Sequence, residues 1–184
     1  SPGQPGLLGT AGFGFWNDPF MMTDPRPPML PRAIWFFYGS PPGNLKLDFH
    51  NEGHGWKAMM LDALHLAAIP WAVASPLLVP AMNLRPLYRA LWPRIQASLA
   101  AREALVPGPM TAWRTYALDW RSDRARFTVD GETVLEAPFA PRGPLGFVMW
   151  CDNQYMVATP WGRFRWSALP VPGEQWLEVA HLAI

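Results

Sequence analysis

The chain has 184 residues, of which half are apolar, 14% aromatic and 16% charged. That charged share is low against the ~25% of an average soluble protein, so the composition excludes a disordered segment and fits one domain, 1–184, rather than two. Fifteen basic and fourteen acidic residues leave a formal net charge of +1, which removes any overall electrostatic drive toward nucleic acid or an anionic membrane.

A single cysteine, Cys151, excludes an intrachain disulfide and a multi-cysteine metal site. Only Lys46 and Lys57 among the basic residues are lysine, an arginine bias that suggests a GC-rich source genome rather than a binding property. Ser1 opens a Pro/Gly-rich stretch with no basic region leading into an apolar one, so no signal peptide is expected and the compartment is not legible.

The chain carries eleven tryptophans and 22 prolines, with short apolar runs between Pro/Gly punctuation, which predicts an all-β framework. The first expected strands are 11–17, 32–38 and 44–49. From about 58 to 106 the character changes to a long, Ala- and Leu-rich stretch, expected to be a mainly helical insertion. Within it Leu84, Leu87, Tyr88, Leu91, Trp92, Ile95 and Leu99 recur at helical spacing with Asn83 as the expected N-cap, and Pro93 predicts a kink or a break. The run Leu66–Met82 is uncharged but holds Pro70, Pro76 and Pro80, which argues against a transmembrane segment and leaves a lipid-facing flap as a minor reading.

Strands are expected again at 113–120, 124–129, 132–136, 144–150, 154–159, 163–167 and 176–184. The clearest local signal is a hairpin. Ala125, Phe127 and Val129 alternate with Arg124, Arg126 and Thr128, and Asp130-Gly131 supplies the two positive-φ positions of a type I′ turn. Tyr116, Leu118 and Trp120 alternate ahead of it, giving three successive antiparallel strands.

The stretch from Trp113 to Glu136 resembles the late strands of the concanavalin A-like lectin/glucanase superfamily, nearest to the laminarinase-type β-glucanases of glycoside hydrolase family sixteen. Tyr116, Leu118, Trp120, Phe127, Val129, Asp130 and Gly131 carry the likeness. Trp176-Leu177-Glu178-Val179 is similar to that family's final strand, and Gly12-Phe13-Gly14-Phe15-Trp16 to an early inner one. The resemblance implies a concanavalin A-like jelly-roll β-sandwich. It does not carry the family's chemistry. The family's Glu-x-Asp-x-x-Glu arrangement puts both catalytic carboxylates on one strand face, and here none of the six glutamates has an aspartate two residues on, while strand 44–49 offers Asp48 alone.

The candidate ligand site combines Trp16, Asn17 and Asp18 with Trp150, Asp152, Asn153 and Gln154, on the expectation that the sheet brings the two groups together. Trp35, on the aromatic strand Ile34–Tyr38, adds a third ring. Indole faces with amide and carboxylate groups suit a sugar, although Asx residues also favour turns for local reasons. Asp18 and Asp152 are the candidate acid/base residues if a reaction is catalysed. His50 and His54, with Asp48 and Glu52, read as a solvated loop rather than a metal site. Asp62 and His65 read as a surface contact, Cys151 as buried filler, and Arg121, Arg124 and Arg126 as an exposed face. Neither a Gly-x-Ser-x-Gly elbow nor a phosphate loop occurs. No cofactor is expected, and the sequence neither requires nor excludes a structural calcium.

Two functions follow. One is a noncatalytic, lectin-like domain binding carbohydrate in an aromatic groove. The other is a pocket for an apolar small molecule, such as that of a cyclase, isomerase or hydrolase, lidded by the insertion.

Overall fold

The computed structural model describes residues 6–18, 29–48, 50–159 and 161–184. Among them run β1 (Thr10–Trp16), β2 (Arg32–Gly39), β3 (Asn44–Leu45), β4 (Gly55–Asp62), α1 (Ile69–Ala81), α2 (Arg85–Ser98) and β5 (Arg102–Leu105). They are followed by β6 (Tyr116–Trp120), β7 (Ala125–Val129), β8 (Glu132–Ala137), β9 (Gly146–Asp152), β10 (Gln154–Ala158) and β11 (Phe164–Ala168). The protein is mostly β-sheet with two helices, an arrangement compatible with a β-sandwich. A five-stranded sheet in the order β5-β4-β2-β1-β9 opposes the meander β6-β7-β8, and a small third sheet is ordered β11-β10-β3.

Period-two alternation sets the core. Phe13 and Phe15 of β1, Ile34 and Phe36 of β2, and Trp56, Ala58 and Met60 of β4 point toward the meander, which answers with Ala125, Phe127 and Val129. Phe36 meets Phe127 edge-to-face at 5.3 Å between ring centroids. Burial of each large side chain here stabilises the sandwich by about 1.5–3 kcal/mol. The predicted hairpin forms as expected, with Asp130 at φ 52° and Gly131 at φ 84° joining β7 to β8.

The expected helical stretch 58–106 is corrected at both ends. Residues 55–62 are the strand β4, inside the main sheet between β2 and β5, and 102–105 are β5. Helix occupies only the middle, and it divides into α1 and α2 between Ala81 and Arg85 rather than at Pro93, which lies inside α2. Asn83 does not cap α2, whose N-cap is Leu84; its Nδ2 donates instead to the carbonyls of Val79, Pro80 and Trp161, closing the end of α1. Segment 176–184 is not a strand but irregular chain with an isolated bridge at Leu177.

The helices attach on the sheet face turned away from the meander. Lys57, Met59 and Glu103 share that face with Trp35 by register. Leu45 and Leu47 pack on it, and α2 sits on this segment, with Trp92 Nε1 donating to Leu47 O (3.1 Å) and Gln96 Nε2 to Asp48 Oδ2 (3.4 Å).

Candidate functional site

Strand β1 has two chemically different faces. Thr10, Gly12, Gly14 and Trp16 look away from the meander, whereas Phe13 and Phe15 look into the sandwich. Each face leads to a candidate site.

On the outer face the structure gathers the three predicted tryptophans. Trp35 packs edge-to-face with Trp16 (5.1 Å) and Trp150 (5.5 Å). Trp35 is only 7% exposed, so its ring faces are spent on protein. Trp150 Nε1 donates to Thr10 Oγ1, which donates on to Asp152 Oδ1. Among the described residues the buried indole N–H groups of Trp16 and Trp35 have no hydrogen-bond partner.

The polar members do not converge with one another. Register places Thr10 opposite Asp152 and Trp16 opposite Gly146, so Asn17-Asp18 and Asp152-Asn153-Gln154 lie at opposite ends of the β1-β9 pair, ~20 Å apart. Each group holds backbone. Asn17 accepts from Arg32 N and donates to Leu30 O, and fully buried Asp18 accepts from Met29 N. Asp152 accepts from Gln154 N, Asn153 Nδ2 donates to Leu169 O, and Gln154 opens β10.

The other candidates resolve locally. Asp62 is buried and meets Arg32 Nε at 3.0 Å and Arg142 Nε at 3.5 Å, while His65 Nδ1 accepts from Ala67 N, so the expected Asp62–His65 surface contact is replaced by a buried arginine-bound carboxylate. His54 pairs with Glu52 at 3.1 Å, and among the described residues no three His, Cys, Asp or Glu side chains converge on one point. Burial, then the neighbouring Asp152 carboxylate, pushes the half-buried Cys151 thiol up, which opposes a thiolate nucleophile. Arg121 and Arg124 pair with Asp119, and Arg126 with Glu136, on an exposed face.

On the inner face the two sheets do not close completely. A cavity of about 830 Å³ opens between β1 and β9 of the large sheet and β6 of the meander. Phe13, Phe15, Phe147, Leu118 and Trp120 form its apolar walls, and Val179–Ile184 runs along it. Trp113 (59% exposed) and Met149 (53%) stand at its mouth. Tyr116 brings a hydroxyl that accepts from Trp56 Nε1 at 3.1 Å, and a phenol accepting one bond still has a proton to donate. Its pKa is raised by burial. On the rim Arg114 Nε pairs with Asp130 Oδ2 at 2.7 Å, and Arg114 also reaches the carbonyl of Pro107.

None of the residues singled out as ligand-binding lines this cavity, and none of 58–106 does, so the insertion is not its lid. The alternation of Phe13 and Phe15 signals an inward face in the sequence, but a gap is a property of strand placement and has no local signature. A scan against protein-family models and searches of curated proteins and of solved structures found no match.

Proposed function

We propose that the protein binds a mainly apolar small molecule between its two sheets. The observation that carries this reading is the apolar cavity of about 830 Å³, rimmed by exposed Trp113 and Met149; its size lies within the ~300–1,000 Å³ of ordinary ligand sites. The Tyr116 hydroxyl offers one directional contact within otherwise apolar walls, the combination by which such sites orient a ligand. The rim ion pair Arg114–Asp130 sits where a polar end of the ligand would emerge.

A concanavalin A-like jelly roll is the finer architecture we propose, supported by the β6-β7-β8 meander against a sheet in which β1 lies between β2 and the late strand β9. The carbohydrate reading of the outer face has less support. The Trp16, Trp35 and Trp150 rings pack on one another, and Asn17, Asp18 and Asp152 are already engaged with backbone or Thr10.

The test is a thermal-shift screen against soluble oligosaccharides and apolar small molecules, followed by titration of the apolar fluorophore phenylnaphthylamine into wild type and Met149→Lys. Binding to the native state raises the melting temperature by mass action. The reading predicts stabilisation by the apolar panel and an affinity at least ~10-fold weaker in the exposed Met149→Lys variant, since apolar surface at the mouth is replaced by a side chain whose charged end holds water there. Stabilisation by oligosaccharides alone would overturn it.

A further inference from the structure

The helical hairpin concentrates two properties that the composition of the whole chain averages away. Across 63–102 there are four arginines and no aspartate or glutamate, although the chain as a whole is nearly neutral. Among the described residues no carboxylate pairs with exposed Arg85, Arg89 or Arg94. Helix α1 beside them has Ser75 as its one polar residue and buries none of its residues fully. Ile69, Val73 and Leu77 form an outward stripe, 55%, 77% and 80% exposed, which Leu66 (71%) and Leu84 (62%) extend at either end. Trp71 and Val79 lie on the opposite side of α1 and pack toward α2, with Trp71 Nε1 bonded to Ser98 Oγ at 2.8 Å.

We propose that this hairpin lies in the surface of an anionic phospholipid bilayer, with the α1 stripe among the acyl chains and the arginines at headgroup level. An apolar helix unburied by its own fold calls for an apolar environment. At 13 residues α1 is ~20 Å long, short of the ~30 Å hydrocarbon core, and among the described residues no helix is long and apolar enough to cross a membrane. An in-plane position is what that length allows. Arg85, Arg89 and Arg94 are all exposed residues of α2, the partner helix of the stripe. By sequence, Arg85 follows Leu84 directly and Arg89 one turn later, and Arg94 lies one turn before Ser98, whose hydroxyl is bonded to Trp71 near the start of α1. A second copy of the chain is the poorer occupant, because a symmetric contact through α1 would gather two unpaired arginine sets around one patch with no acid in either hairpin to neutralise them. Negatively charged headgroups neutralise them directly.

The test is flotation of the full chain with vesicles of phosphatidylcholine alone or of phosphatidylcholine and phosphatidylglycerol at roughly 3:1. Wild type should float with the anionic vesicles and lose this at high salt. Val73→Glu/Leu77→Glu should bind at least ~10-fold more weakly with an unchanged melting temperature, both positions being exposed, and Arg85→Glu/Arg89→Glu should lose roughly fivefold per arginine on anionic vesicles. No flotation with either vesicle would overturn the proposal. So would flotation that Val73→Glu/Leu77→Glu leaves intact, or vesicle-free self-association that this variant abolishes.

Discussion

Lys57 Nζ lies 3.1 Å from Glu103 Oε2, and both side chains are wholly buried on the sheet face beneath helix α2. The pair anchors the backbone of segment 45–48 to the sheet face. Glu103 Oε1 accepts from Leu47 N (3.1 Å) and Asp48 N (2.8 Å), and Lys57 Nζ donates to Leu45 O (3.1 Å). Burial pushes the lysine down and the glutamate up, each opposed by its partner. A buried pair so fully hydrogen-bonded costs little once formed, but either charge left alone costs a great deal.

Lys57→Met is therefore expected to destabilise the protein by about 3–5 kcal/mol, because it leaves Glu103 charged and unpaired in the interior. Lys57→Met/Glu103→Gln should recover part of that loss, since no charge remains and the amide oxygen of the new side chain can still accept from Leu47 and Asp48. Urea unfolding of the two variants decides it. A single variant within ~1 kcal/mol of wild type would show that the segment is held by Trp92 and Gln96 instead.

Tyr88 makes the same region sensitive to alkali. Burial, and then the nearby Asp48 and Glu103 charges, raise its phenol to about 12 from an ordinary 10.0. A folded-state value above the unfolded one means that the native state holds its proton while the unfolded chain releases it. Stability from this group is fully present below pH 10 and is lost as pH rises toward 12. Melting temperatures measured from about pH 8 upward should fall less steeply in Tyr88→Phe than in wild type; parallel curves would assign the alkaline loss to Tyr38 and Tyr116, also raised by burial.

The sequence made the meander legible because one face of each strand is buried and the other wet, so hydrophobic alternation is visible in β6 and β7 and Asp130-Gly131 names its own turn. Strand β4 hid for the opposite reason. Gly55–Asp62 is covered on both sides, so its apolar residues run together, and Ala58, Met59, Met60 and Leu61 read as helix formers. Its one basic residue, Lys57, finds its partner in Glu103, 46 residues on, a pairing that no local pattern shows. At the candidate site the three tryptophans do meet, because register puts Trp16, Trp35 and Trp150 on one sheet face. Asn17-Asp18 and Asp152 were misplaced because register, which composition does not reveal, sets them at opposite strand ends.

Gly12 is where β1 and β2 come too close for any side chain. A Cβ there would stand 2.4 Å from Phe36 O and 2.7 Å from Trp150 Cη2, the indole lying across the glycine. Gly12→Ala should cost about 1–3 kcal/mol by overpacking. Trp150→Leu should not rescue it, since the carbonyl of Phe36 stays in place. Rescue would mean that the indole, not the strand spacing, sets the constraint.

Segment 179–184 borders the groove. Val179 is 37% and Leu182 51% exposed, so each covers the groove with part of its surface and leaves the space beside it open. This is the geometry of a wall rather than a plug. Deleting residues 179–184 removes two half-buried aliphatic side chains, together about 1.5–3 kcal/mol, which lowers the melting temperature without unfolding the two sheets. An apolar ligand would lose one side of its enclosure, so phenylnaphthylamine should bind about tenfold more weakly. Tighter binding after deletion would instead identify the segment as an occupant of the site that a ligand must displace.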